Sequence, residues 1–139
     1  MTTDPILFPD PQRATRDALR ATLPAYGIDA DVTMSRPSHT PGVPLARPHI
    51  RVRTGTPTRD TPASASALVR LTVFDRDEGA AMALAAKVEA ILLAEASSSD
   101  VRSFGPVSGP VPGTDQDTGE PIALVTVQAR LRPRHLRKE

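Results

Sequence analysis

Hydrophobic and polar positions alternate with a period of two in three parts of the chain, the pattern of a strand with two unlike faces. In His49–Arg53, Ile50 and Val52 point one way and Arg51 and Arg53 the other. In Ala67–Asp75, Val69, Leu71 and Val73 share a face, opposite Leu68, Arg70, Thr72 and Phe74. In Ile122–Arg132, Ala123, Val125, Val127, Ala129 and Leu131 alternate with Leu124, Thr126, Gln128 and Arg130. Shorter strands are predicted over Ala30–Arg36, where Val32 and Met34 share a side, and over Val101–Val107, which Gly105-Pro106 interrupts.

Two other stretches carry the helical period. Asp10-Pro11 opens the first, since an Asp can accept from free N–H groups of the first turn and Pro suits the first helical position. Ala14, Ala18, Leu19 and Leu23 form its apolar stripe before Pro24, and Arg13, Arg16, Asp17 and Arg20 its polar one. The second follows Asp75 and Glu78, whose spacing is that of a capping box. Its stripe is Ala81, Leu84, Ala85, Val88, Ile91 and Leu92, ending near Ala96.

The predicted order is helix, three strands, helix, two strands. That is an α+β domain: one mixed or antiparallel sheet of four to five strands with two helices packed on one face. A chain of 139 residues fits a single domain spanning 1–139. Between the elements lie Pro/Thr-rich loops or arms at 37–48 and 54–66, a turn-rich segment from Ser108 to Pro121, and a basic tail at 133–139.

Composition sharpens this picture. Aromatic residues are 3% of the chain, so the core must be built from Leu, Val, Ile and Ala, and association is one way to add burial. The 15 prolines cluster, which marks loops rather than disorder throughout. The formal net charge is +1, so bulk electrostatics do not argue for a nucleic-acid binder. With no cysteine, disulfides, thiolate catalysis and Cys-based zinc sites are excluded. MTTDPILFPD has neither the basic start nor the apolar run of a signal peptide. The longest apolar stretch, Gly79–Ala96, is broken by Lys87, Glu89 and Glu95, and no membrane span is expected.

Motifs that would carry chemistry are missing. His39, His49 and His135 are far apart in sequence and form no ligand pair. Asp115-Gln-Asp117-Thr-Gly119-Glu120 has acids at alternate positions, but its glycine falls one place early for a calcium loop and position twelve is Thr126. A hairpin turn is the plainer reading. The glycines of Gly105–Gly113 do not fit a phosphate loop, and the interleaved prolines remove N–H groups, so a rigid, bulged strand edge is expected. No nucleophile elbow occurs, and no cofactor is implied.

One charge pattern does stand out. Arg36, Arg47, Arg51, Arg53 and Arg59 fall in a stretch from Val32 to Arg59 that contains no acid. Arginine contacts carboxylate and phosphate in bidentate fashion. These five are the candidate interface residues, facing an acidic partner or passing DNA; a solvated sheet face and loop explains them equally well.

In its layout the chain resembles the tail terminator proteins of long-tailed phages, especially those infecting actinobacteria, over about Ile6 to Leu131. Three pieces carry the resemblance. They are the helix after Pro9-Asp10-Pro11; Leu68–Asp75 leading straight into the Ala-rich helix from Glu78; and Val107-Ser-Gly-Pro110, then Asp117–Pro121, with a closing strand ending Ala129-Arg-Leu131. The stretch 54–66 is less typical of the family. The resemblance implies a structural virion subunit, assembled in the host cytoplasm, with no enzymatic step and no cofactor. Its copies would form a homohexameric ring on the tail tube protein, end tube growth, and meet the head-side connector or stopper protein. DNA would pass through the lumen without sequence-specific binding. A different neck or head-completion (stopper) subunit is the alternative of the same kind, and a nucleic-acid-binding regulator using Arg36–Arg59 the alternative of another.

Overall fold

In a computed structural model, residues 4–38, 43, 45–95 and 98–137 are described. The chain is α+β. Eight strands, two α-helices and one 3-10 helix follow in the order β1 (Ile6–Leu7), α1 (Pro11–Thr22), the 3-10 helix Leu23–Tyr26, β2 (Asp31–Thr33), β3 (His49–Thr54), β4 (Thr58–Thr61), β5 (Ser64–Phe74), α2 (Glu78–Glu95), β6 (Val101–Thr114), β7 (Pro121–Leu131) and β8 (Arg134–His135).

Six strands form one sheet in the order β2-β3-β5-β7-β6, with β4 pairing β5 beyond the end of β3. All its pairs are antiparallel except β2 with β3. The sheet therefore exceeds the four to five strands expected from the sequence. The extra strand comes from 54–66, which pairs as a hairpin: Thr58 opposite Ser66 and Thr61 opposite Ser64. Both faces of β4 are exposed, so no apolar alternation marks it in the sequence.

One face of the sheet carries the core. Ile50, Val52, Val69, Leu71, Val73, Ala123, Val125, Val127, Ala129 and Leu131 pack with Ala14, Ala18 and Leu19 of α1 and with all six stripe residues of α2. Each fully buried Val or Leu there stabilises the fold by about 1.5–3 kcal/mol. Two polar ties fix α1 against the sheet: Arg20 Nε donates to the Val32 carbonyl at 2.8 Å, and the Thr54 N–H donates to Gln12 Oε1 at 3.0 Å.

Asp10 caps α1 as expected, accepting from the Gln12 N–H at 3.0 Å. The cap of α2 is different. Asp77 Oδ1 accepts from the Ala80 N–H at 2.7 Å, whereas Asp75 accepts from the neighbouring Arg76 N–H. Asp75 follows the last residue of β5, so Asp77, immediately before the helix, is the acid within reach of its free N–H groups.

The segment 101–114 is one strand rather than a strand and a turn region. Its 14 residues pair with the 11 of β7, and register shifts at three places absorb the surplus. One shift holds Gly109, with φ +103°, where an added Cβ would lie 2.6 Å from the Leu124 carbonyl oxygen. Only glycine fits a backbone that close at that dihedral. The tail is also bound: β8 pairs with β1, the Leu136 N–H donates to the Pro5 carbonyl at 2.8 Å, and Arg134 pairs with Asp100.

Candidate interface on the open sheet face

Because strand side chains alternate, the core face dictates what the opposite face carries. There Arg51, Thr72 and Leu124 lie side by side on β3, β5 and β7, and Arg53, Arg70 and Thr126 form the next row. Leu68 and Gln128 follow, then Ser66 and Arg130. No helix of the described residues covers this face. Leu68 is 52% exposed, and Val107 and Val111 of the edge strand β6 are 49% and 46% exposed.

Three adjoining hollows run along the face. The first, of about 420 Å³, is lined by Arg36, Arg51, Arg70, Asp115 and the apolar floor of Phe74, Ile122 and Leu124. The second, about 310 Å³, shares Arg70 with it and adds Arg53, Leu68 and Thr126. The third, about 490 Å³, shares Leu68 with the second and reaches Asp60, Ser66 and Gln128.

The five arginines fall into different environments. Arg36 is engaged by the β6–β7 turn: its guanidinium contacts Asp115 at 2.5 and 2.6 Å and Asp117 at 2.6 Å. Arg47 pairs with Asp31, and with Asp29 at 3.1 Å, on the exposed edge beside β2, and these acids push its pKa up. Arg59 bonds the carbonyls of Ile6 and Pro62 at 2.8 and 3.1 Å and lies 4.9 Å over the Phe8 ring. Only Arg51 and Arg53 remain on the open sheet face without such partners, joined there by Arg70, which the Val32–Arg59 window leaves out. The acid-free window in sequence does not predict an acid-free surface, because Asp29, Asp31, Asp115 and Asp117 arrive from other segments.

Arg51 is the anomaly. Its Nε is buried and has no hydrogen-bond partner among the described residues. Burial lowers its pKa, and the charges of Arg53 and Arg36 lower it further, against a smaller opposing pull from Asp115. Arg53 stands directly opposite Arg70 across β3 and β5, a like-charge pairing that destabilises a sheet. Neither Arg53 nor Arg70 has an ion pair among the described residues.

Asp115 closes the far end. Burial would raise its carboxyl pKa, but the Thr118 hydroxyl at 2.7 Å, the Arg36 guanidinium and the Asp117 backbone N–H outweigh this and hold it below its ordinary value. Gly119, with φ +74°, donates its N–H to the Asp115 carbonyl at 2.7 Å, the hairpin turn that Asp115–Glu120 predicts. These contacts occupy the Asp115 carboxylate.

The histidines do not converge. His49 is buried, with Nε2 at 2.8 Å from Thr33 Oγ1 and its ring edge-on to Phe74 at 6.0 Å; His135 lies in β8; His39 falls outside the described residues. No group of three potential metal ligands exists among the described residues, and no helix there is long and apolar enough to cross a membrane.

No protein-family model matches the chain, and no curated protein matches it.

Proposed function

We propose that the chain is a structural subunit of the tail-terminator kind, which assembles with copies of itself into a hexameric ring. The ring would cap the tail tube of a long-tailed phage in the virion neck, end tube growth, and offer its other side to the head-side connector or stopper protein. In this reading the chain acts through shape and contact, needs no cofactor, and lets DNA pass through the lumen without reading its sequence.

The observation that carries this reading is the bare layer. A two-layer α+β domain has one sheet face closed by helices and the other left open, here with Leu68 and Val111 about half exposed. Monomers rarely leave a large apolar patch uncovered. Two further features support it. The β4–β5 hairpin projects polar, exposed residues beyond the end of β3, as an arm reaching a neighbour would. The edge strand β6 carries Pro106, Pro110 and Pro112 and three register shifts, which make it a poor template for endless strand addition. A cap must join one growing end and refuse the next copy. The stretches on which the resemblance rests include helix α1, which precedes the six-stranded sheet, and β5 leading into α2.

The regulator reading gains little from the structure, since Arg36, Arg47 and Arg59 are each engaged within the chain. Sedimentation of the purified chain, alone and mixed with tail tubes, tests the ring. A species of six chains, or one that binds tube ends and stops their elongation, is expected. A chain that stays monomeric and leaves tube growth unchanged contradicts it.

A further inference from the structure

The open face holds a positive charge that the chain itself does not balance, and two independent features show it. The Nε of Arg51 is buried with no acceptor, and a buried donor left unmade is costly. Arg53 and Arg70 lie directly opposite one another, with no acid bonded to either among the described residues. A fold that keeps both features is less stable alone than one with Thr or Met at these positions, unless something anionic completes them.

The groove also has direction and a repeat. Along β5, Thr72, Arg70, Leu68 and Ser66 face it in turn, one every two residues. An extended peptide has the same repeat, about 6.6–6.8 Å per two residues. Beside Arg51 and Arg70 the floor is Phe74, Ile122 and Leu124, and past Leu68 the groove ends near Asp60. Mixed apolar floor and cationic wall suit carboxylates set between apolar side chains. A nucleic-acid backbone would bring phosphates but nothing to cover Leu68.

We propose that the open sheet face is a docking groove for an extended segment of another protein chain, whose carboxylates meet Arg51 and Arg70 and whose apolar side chains cover Leu68 and Leu124. The acidic part of the segment lies toward Arg51, and its polar or basic part lies toward Asp60. This goes beyond the ring reading and does not depend on it, because the groove exists in the single chain.

The test uses the isolated chain and two probes: an end-blocked heptapeptide with leucine, glutamate, glutamate and leucine at its first, third, fifth and seventh positions and serine between them, so that all four share one side of the extended chain, and the same peptide with glutamine for glutamate. The Arg51 Nε–H resonance is followed by nitrogen-15 NMR. The glutamate peptide is expected to shift that resonance to saturation and the glutamine peptide is not. Arg51→Met combined with Arg70→Thr should weaken binding by on the order of tenfold or more, since bonds between charged groups are lost. The same double variant should unfold at an equal or higher urea concentration than the parent, which separates lost binding from lost folding. No shift with the glutamate peptide, equal binding of the glutamine peptide, or a fall in the unfolding midpoint each overturns the proposal. So does a short DNA duplex that shifts the resonance where the glutamate peptide does not, and sedimentation reports on the ring separately.

Discussion

The two faces of the sheet are made by the same strands, one residue apart. Along β5, Val69, Leu71 and Val73 are fully buried under the helices, while on the other face Leu68 and Arg70 are exposed and Thr72 and Phe74, toward the strand's end, are buried. On the covered face of β5 and β7 every position from Ala65 to Val73 and from Ala123 to Leu131 is aliphatic, as expected where only volume and burial matter. On the open face leucines alternate with arginines, threonines and a glutamine, and one arginine is left short of a partner. The covered face explains why the chain folds. The open face is poorly explained by folding alone, which is the reason to read it as a contact surface.

The sharpest test of that contrast exchanges single side chains across it. Leu71→Ala is expected to cost about 2–5 kcal/mol by removing a fully buried side chain from the core. Leu68→Ala, three residues away in sequence and on the other face, should stay within about 0.5 kcal/mol. Urea denaturation reads both, and similar losses would mean that the open face also belongs to the core of the isolated chain.

Asp115 marks where the open face is tied down. Asp115→Ala should cost about 1.5–3 kcal/mol, because it strands the Thr118 hydroxyl and leaves Arg36 with Asp117 alone. Its carboxyl is held below its ordinary value in the fold, so its contribution is fully present above the unfolded value of about 3.9 and is lost as pH falls through the folded value. The stability gap between the parent and Asp115→Asn should therefore be constant near neutral pH and shrink below about pH 3.9. A gap that widens on acidification would show the opposite shift.

Gly109→Ala tests the bulged edge. The added Cβ meets the Leu124 carbonyl at 2.6 Å with φ at +103°, and a loss of about 1–3 kcal/mol is expected. Measured stability equal to the parent would mean that β6 relaxes away from β7. The smallest expected effect is a gain: Arg51→Met should raise the unfolding free energy read by urea denaturation by no more than about 0.5 kcal/mol.

How much of this was legible in the sequence follows from the same contrast. Period-two alternation found β3, β5 and β7 because Ile50, Leu71 and Val125 keep the core phase along each strand. Both helical stripes were readable for the same reason. In the segment 101–114 the strand over Val101–Val107 and the bulged edge over Gly105–Gly113 were legible, but one continuous strand to Thr114 was not, because three register shifts break the alternation and Gly and Pro carry no phase of their own. β4 was invisible because neither of its faces is buried. Of the five candidate arginines, spacing along β3 placed Arg51 and Arg53 together on one face. The salt bridges of Arg36 to Asp115 and Asp117 join positions far apart in the chain, which no local pattern encodes. Arg70 was visible on the outer side of its strand, but its place opposite Arg53 depends on strand register.

The central claim is that the open sheet face is where this chain meets its neighbours. Hydroxyl-radical footprinting of the free chain and of the chain mixed with phage tail tubes tests it directly. Labelling at Leu68 and Val111 should fall on assembly while Leu71 stays unlabelled throughout. Unchanged labelling of those two residues, with protection appearing instead on the outer side of α1 and α2, would contradict it.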